Sequence, residues 1–337
     1  MRSAIFVAAG QPLVIEDRPV PVPGPHRALI RVHRCGICGS DLHMTSGSAF
    51  DVACGTALGH EYAGEVVEVG PGVANIAIGD RVTALPMAGC GQCAACIADM
   101  PLHCVALESM AGGYGEYTLI DARRAIRLPQ TLTFEDGALV EPLASALRGV
   151  RRLQGLGPQM RVAVLGAGAI GASAAWWARR LNAGPIAMIA RTARNQDLAA
   201  AMGADAFLTV GDDLPEQLDK ALGGPPDVVI EAAGSAGAIQ QSINLVRNGG
   251  TVLTLGGCIR PDSIMPAIAM FKDITLQFSV AYGLADFMQC IATLDSGAVE
   301  PRALVGETIP LAALPERFEA LRQGSHAAKI MVDPWSG

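Results

Sequence analysis

The run Gly166-Ala-Gly168-Ala-Ile-Gly171 constrains the fold of this chain more than any other stretch. Ahead of it, Arg161–Leu165 is a short continuous apolar run that reads as a buried strand. Behind it, Ala169–Leu181 keeps helical spacing until Asn182 and Gly184. Glycines at this spacing allow a tight turn, close approach of a pyrophosphate and close packing of helix on sheet. The helix N-terminus offers free N–H groups and the positive end of a dipole to phosphate. The motif alone is weak, and its context strengthens it. Ile186–Ile189, Asp227–Glu231 and Thr251–Leu255 read as further strands, with helices at Asp197–Met202 and Ala236–Val246. Such alternation builds a parallel sheet with right-handed crossovers. Gly166, Ala167, Gly168, Ala169, Ile170 and Gly171 are therefore the expected phosphate-facing turn of a dinucleotide-binding domain.

Residues 1–135 have a different texture. Short strands are expected at Ala4–Val7, Leu13–Glu16, Ala28–Arg34, Tyr62–Val69 and Arg81–Ala84, punctuated by Pro- and Gly-rich turns. Phe134–Val150 then has helical spacing. After Thr275 come a strand, helices near Phe287–Leu294 and Leu314–Leu321, and a last strand at Ala328–Val332. A length of 337 residues suits two domains. Charged residues make up 17%, below the usual ~25%, which points to a tightly packed protein with contacts between copies. The formal charge of −7 argues against nucleic acid or an anionic membrane as partner. The apolar stretch Val162–Ala178 is interrupted by the three glycines and reads as strand, turn and helix rather than a membrane span. The opening Met1-Arg2-Ser3 reads as the start of a strand, not a leader, so the cytoplasm is the expected compartment, with the nine cysteines as metal ligands and free thiols.

Two groups of metal donors stand out. His60 and Glu61 offer an imidazole and a carboxylate; upstream, Cys35-Gly-Ile-Cys38-Gly-Ser40-Asp41-Leu-His43 adds thiols, a hydroxyl and a second imidazole, and downstream Glu141 adds a carboxylate. Cys, His and Glu without a fourth strong ligand is the pattern of an open, catalytic zinc site. Separately, Cys90, Cys93, Cys96 and Cys104 place four thiols within fifteen residues, enough to close a tetrahedral shell and make a structural site. His103 is redundant beside them and reads as a surface residue. Cys54, Cys258 and Cys290 have no partners by spacing and read as core thiols, and Trp176-Trp177 as packing.

Taken in order, Cys35 to His43, Gly59-His-Glu-Tyr-Ala-Gly-Glu-Val-Val-Glu-Val-Gly70, the four-Cys loop, Glu141-Pro-Leu and the glycine turn resemble the medium-chain zinc-dependent alcohol and polyol dehydrogenases, the sorbitol dehydrogenase-like group in particular. The resemblance covers nearly the whole chain. It implies an α/β protein with a GroES-like β-barrel catalytic domain (1–142 and 278–337, with the zinc loop at 90–104) and a Rossmann cofactor domain (143–277). It implies catalytic zinc on Cys38 and His60, with Glu61 a direct or occasional third ligand and Glu141 binding directly or through water. Asp41 is then the carboxylate that orients His60, Ser40 the hydroxyl that bonds the substrate oxygen, and His43 the outer end of a proton relay. Cys35 is not a ligand in this pattern, although a Cys35/Cys38 pair is the rival reading. Lys329 falls where the family often has a basic residue near the pyrophosphate; a solvated Lys before an edge strand is the alternative. The resemblance also implies two zinc ions per chain, a small alcohol or ketone as substrate, and a homo-dimer or homo-tetramer.

Two departures sharpen the expectation. Polyol dehydrogenases of this group often have Tyr after the residue equivalent to His43, Arg before the Tyr of the late strand, and Gly at the start of that stretch. This chain has Met44, Ala281 before Tyr282, and Phe278. Fewer polar partners favour a relatively apolar, secondary alcohol or ketone. In NAD-binding domains an acid ends the second strand, roughly 20 residues past the glycines. That position is Ala190 here, followed by Arg191 and Arg194, which suit a 2′-phosphate through charge-assisted hydrogen bonds. The expected cofactor is NADP. The competing readings are an NAD-dependent polyol dehydrogenase, a zinc-free quinone or enoyl reductase on the same fold, and a non-catalytic zinc- or nucleotide-binding protein.

Overall fold

The computed structural model describes residues 1–47, 52–324 and 328–336. It divides into two compact units: 1–144 with 281–299 and 305–337, and 145–280 with 300–304. The first boundary falls inside the helix Phe134–Arg151.

The second unit is organised by a six-stranded parallel sheet. From edge to edge it runs Ala206–Thr209, Ile186–Ala190, Val162–Leu165, Val228–Glu231, Thr251–Thr254 and Thr275–Phe278. Numbered in chain order the strands read 3-2-1-4-5-6, the doubly wound order, with its reversal between Val162–Leu165 and Val228–Glu231. Strands covered on both faces need no polar alternation, and Val162–Leu165 and Val228–Glu231 are buried throughout. Their side chains join Ile189, Leu218, Ile243 and Val252 in one core. Trp176 and Trp177 are buried in the helix Ala169–Arg180 and meet edge to face at 4.5 Å, as packing residues. The edge strand Ala206–Thr209 and the helix Leu214–Leu222 were not anticipated. That strand is short and only half-buried, whereas the helix buries Leu214, Leu218 and Leu222 at helical spacing, a pattern the sequence does carry.

The first unit is built on a seven-stranded sheet. Arg27–Gly36 is its centre and pairs with Glu61–Val69, Tyr117–Asp121 and Lys329–Asp333, all antiparallel. Arg81–Ala84 with Ala125–Arg127 continues it on one side, and Val305–Pro310, parallel to the last strand, closes the other. Ile30, Val32, Tyr62, Val66, Ile120, Phe318 and Val332 form its core. Among the described residues no helix is long and apolar enough to cross a membrane. None of the nine cysteines is in a disulfide; Cys290 is buried as expected, but Cys54 is exposed and Cys258 half-buried, because both lie in loops and lack of a partner by spacing does not place a thiol in the core.

Asp227 ties two strand starts of the second unit together. It accepts from the Arg161 backbone N–H at 2.8 Å, from Arg161 Nε at 2.9 Å and from Arg247 Nε at 2.5 Å. Burial pushes its pKa up, but the hydrogen bonds from Arg161 and Arg247 prevail and hold the carboxyl well below the usual carboxylate range. An unfolded Asp titrates near ~3.9. A depressed folded value therefore contributes stability that is complete above that pH and is lost as pH falls through the folded pKa. Asp227→Asn should lower the unfolding free energy by roughly 1–3 kcal/mol at neutral pH. In urea titrations the gap from the parent should narrow steadily below pH ~4; a gap of constant size down to that range and beyond would contradict this account.

Candidate active site

Four elements of the first unit bring its polar residues together. Cys38 caps the short helix Gly39–Met44, Glu61 opens the strand Glu61–Val69 with His60 just ahead of it, Glu141 lies on the helix Phe134–Arg151, and Lys329 begins the last strand. Cys38 Sγ, a His60 ring nitrogen and a Glu61 carboxylate oxygen all lie within 4.8 Å of one another. Asp41 Oδ1 is 3.1 Å from His60 Nδ1, which leaves Nε2 as the free ring nitrogen. Ser40 Oγ lies 3.3 Å from that Nε2 and 3.2 Å from Cys38 Sγ. His43 is half-buried on the same helix, and among the described residues no hydrogen bond joins it to Ser40. Cys35 is buried, with its thiol directed to the Gly36 carbonyl.

The electrostatics of this cluster ask for a cation. Glu61 is 0% exposed. Its Oε1 accepts from Lys329 Nζ at 2.5 Å, while Oε2 is buried with no hydrogen-bond partner among the described residues. A buried carboxylate oxygen left in this state is costly. Glu141 stands apart from the Cys38–His60–Glu61 set: its Oε1 accepts from the Tyr282 hydroxyl at 2.6 Å. Burial pushes Glu141 up to about 7; His60 opposes that shift and the Glu61 carboxylate adds to it. A thiol, an imidazole oriented through Nδ1 and an orphaned carboxylate oxygen form a mixed donor set that suits zinc.

Lys329 is not the solvated residue of the alternative reading: its side chain is buried, donating to Glu61 and, at 3.0 Å, to the Ile37 carbonyl. The cause is strand register. Met331 and Val332 pair with Gly36 and Cys35, and the Ile37 N–H reaches the Ile330 carbonyl, so the first residue of the last strand is carried to Glu61. Burial works against the ammonium charge, but Glu61 and Cys38 outweigh it and raise the Lys329 pKa. Gly36 belongs to the same arrangement, because a Cβ there would lie 2.0 Å from Glu61 Oε2.

The second donor group lies in the lobe from Cys90 to Cys104. All four sulfurs are within 4.8 Å of one another. Backbone N–H groups point at them: Cys90 to Cys104 Sγ at 3.3 Å, Cys93 to Cys90 Sγ at 3.4 Å, and Ala106 to Cys104 Sγ at 3.4 Å. The N–H groups of Gln92 and Cys93 lower the Cys90 thiol to about 6, favouring the thiolate a metal requires. Four thiols complete a shell without help, and His103 is exposed beside them.

In the second unit the glycine turn follows the strand Val162–Leu165 and opens the helix Ala169–Arg180, with Gly168 as its N-cap. Gly166 adopts φ +108°, and a Cβ there would lie 2.7 Å from the Ala232 backbone; at Gly171 it would strike the Gly166 carbonyl at 1.8 Å. At Gly168 a Cβ would meet nothing within 4 Å. The first and third glycines are thus demanded by the fold, and the second leaves open space at the helix N-terminus for a phosphate. Ala190 ends the second strand, and Arg191 and Arg194 follow it as exposed side chains. Asn195, which sequence reasoning missed, donates from Nδ2 to the Ala167 carbonyl at 2.7 Å and ties that loop to the glycine turn.

Known proteins share this fold. Residues 24–130 match the alcohol dehydrogenase GroES-like domain, and residues 169–296 match the zinc-binding dehydrogenase domain. Chicken (Gallus gallus) sorbitol dehydrogenase is 30% identical, over 98% of this chain and 95% of its own. A candidate zinc-binding dehydrogenase of Sinorhizobium meliloti, solved with NADP bound, superposes with a TM-score of 0.87 at 32% identity, covering 99% of both chains. The 2R,3R-butanediol dehydrogenase of Bacillus subtilis gives 0.87 at 29% identity, again over 99% of both chains. With its GroES-like and Rossmann-type parts, its two clusters of metal donors and its glycine turn, this chain belongs to the medium-chain zinc-dependent alcohol and polyol dehydrogenases.

Proposed function

We propose that the chain transfers hydride between NADP(H) and a relatively apolar, secondary alcohol or ketone, using one catalytic and one structural zinc. The observation that carries the cofactor choice is Ala190 at the end of the second strand, with Arg191 and Arg194 exposed directly after it. No carboxylate stands there to repel a 2′-phosphate, and two guanidinium groups are free to bind one. The NADP held by the Sinorhizobium relative supports the same choice. Lys329, paired with Glu61, remains a candidate basic residue for the pyrophosphate.

Cys38, His60 and Glu61 would hold the catalytic zinc, with Glu141 beside them, and Cys90, Cys93, Cys96 and Cys104 the structural one. A zinc ion held there would supply Lewis-acid polarisation of the substrate oxygen, and a bound nicotinamide cofactor would supply the hydride donor or acceptor. Asp41 keeps the His60 proton on Nδ1. The exposed Ser40 hydroxyl accepts the proton of the substrate alcohol and releases it towards His43 or solvent. The Tyr282 hydroxyl is committed to Glu141, and Met44 and Ala281 bring no hydrogen-bonding side chain, so extra substrate hydroxyls gain little here. The chain also reads as a cytoplasmic homo-oligomer: its cysteines are not joined in disulfides, and Met270, Phe271, Phe278 and Val280 leave apolar surface exposed.

The first test is metal content. Elemental analysis should find two zinc ions per chain; fewer than one would contradict the two-site reading. Cys38→Ala should abolish turnover with the fold intact, whereas Cys93→Ala should chiefly lower the melting temperature. The second test is kcat/KM for NADP(H) against NAD(H) with one active substrate. Arg191→Ala with Arg194→Ala should weaken NADP(H) by about a hundredfold, as expected for losing roughly 3 kcal/mol of charged hydrogen bonds. Ala190→Asp should harm NADP(H) far more than NAD(H). A preference of the parent enzyme for NAD(H) sinks the assignment. The third test compares simple secondary alcohols with sorbitol and xylitol; higher kcat/KM for the polyols would favour the reading that the sorbitol dehydrogenase relatives suggest.

A further inference from the structure

Asp41 has two carboxylate oxygens and no exposure to water. Oδ1 faces His60 Nδ1 at 3.1 Å. Oδ2 accepts from the Tyr114 hydroxyl at 2.5 Å and, more distantly, from the Cys38 N–H at 3.4 Å. The Tyr114 oxygen also lies 3.3 Å from the Gly36 carbonyl, but one hydroxyl hydrogen cannot serve both acceptors. The shorter contact, to a charged acceptor, is the stronger. Tyr114 is itself fixed on every side. Its backbone N–H donates to Leu58 and its carbonyl accepts from Ala4, and the ring is wholly buried. Gly59, the residue before His60, sits at φ +91° against that ring, where a Cβ would come within 2.6 Å of it.

We infer that Tyr114 is a positioning residue for the catalytic metal site: its hydroxyl pins Oδ2 of Asp41, so that Oδ1 alone meets His60 and Nε2 is left free as the ligand nitrogen. Without the hydroxyl the carboxylate can rotate about its Cβ–Cγ bond and loses its hold on the imidazole. The ring's packing against Gly59 is a separate contribution, and Tyr114→Phe keeps it. This inference rests on Cys38 and His60 holding zinc, and the test separates the two.

Zinc per chain is measured in metal-buffered solutions over a range of free zinc for the parent, Tyr114→Phe, Asp41→Asn and the double variant. Partners that orient a metal-ligating His typically contribute 10–100-fold in affinity. Tyr114→Phe, acting one residue further out, should shift one of the two binding steps by about tenfold and leave the other, at the four-Cys lobe, in place. In the Asp41→Asn background the same change should add almost nothing, because the carboxylate it serves is gone. Two steps that coincide with those of the parent would overturn the role of Tyr114, as would a parallel shift of both, which marks a purely structural loss. A parent chain showing the four-Cys step alone would instead overturn the zinc reading beneath it.

Discussion

The carboxylate of Glu61, buried beside a thiol and an imidazole, is the charge that the first unit is arranged to answer. Ionised groups in such surroundings cost several kcal/mol unless they are paired. Lys329 supplies one partner, which requires the last strand to run in its observed register against Arg27–Gly36. Gly36 supplies room, since any side chain there would collide with Oε2. The other oxygen has no hydrogen-bond partner among the described residues, and a Glu61 carboxylate oxygen lies within reach of Cys38 and His60. The fold thus gathers donors that could hold a cation, and Asp41 orients His60 among them.

The cofactor side answers a different constraint. Parallel strands that meet at a reversal of order leave a crevice beyond their C-terminal ends. Gly166 allows the backbone to pass Ala232 closely at that point, and Gly171 lets the helix settle on the turn. Gly168 alone faces open space. Glu231 accepts from the N–H groups of Ala233 and Gly234 at 2.8 and 2.7 Å, bracing the neighbouring turn. In the reading proposed above, phosphate recognition rests on this backbone geometry and the choice between nicotinamide cofactors on the few side chains after Ala190.

These two constraints explain what the sequence discloses. The glycine turn, the four-Cys loop and the His60-Glu61 pair are legible because each depends on residues close together in the chain. The Rossmann-type strands are legible because burial on both faces makes them continuous apolar runs. The pairing of Lys329 with Glu61 is not legible, because the two are 268 positions apart and the register of the last strand brings them together. The same holds for Tyr282 with Glu141 and for Tyr114 with Asp41, where the hydrogen bonds span 141 and 73 positions. Tyr114, inside Gly112-Gly-Tyr114-Gly115, looks like a turn residue in sequence; its burial and its hydroxyl's target exist only once the sheet has formed. The edge strand Ala206–Thr209 escaped for the opposite reason, being short and only half-buried, while the helix Leu214–Leu222 carries a legible stripe of Leu214, Leu218 and Leu222.

The central claim is that Cys38, His60 and Glu61 enclose a zinc ion distinct from the one in the four-Cys lobe. Anomalous scattering at the zinc absorption edge, from crystals of the active protein as purified, tests it most directly. The account predicts two separated peaks, one among the sulfurs of Cys90, Cys93, Cys96 and Cys104 and one bounded by Cys38 Sγ, His60 Nε2 and the Glu61 carboxylate. A single peak in the four-Cys lobe, from enzyme that turns over, would contradict it.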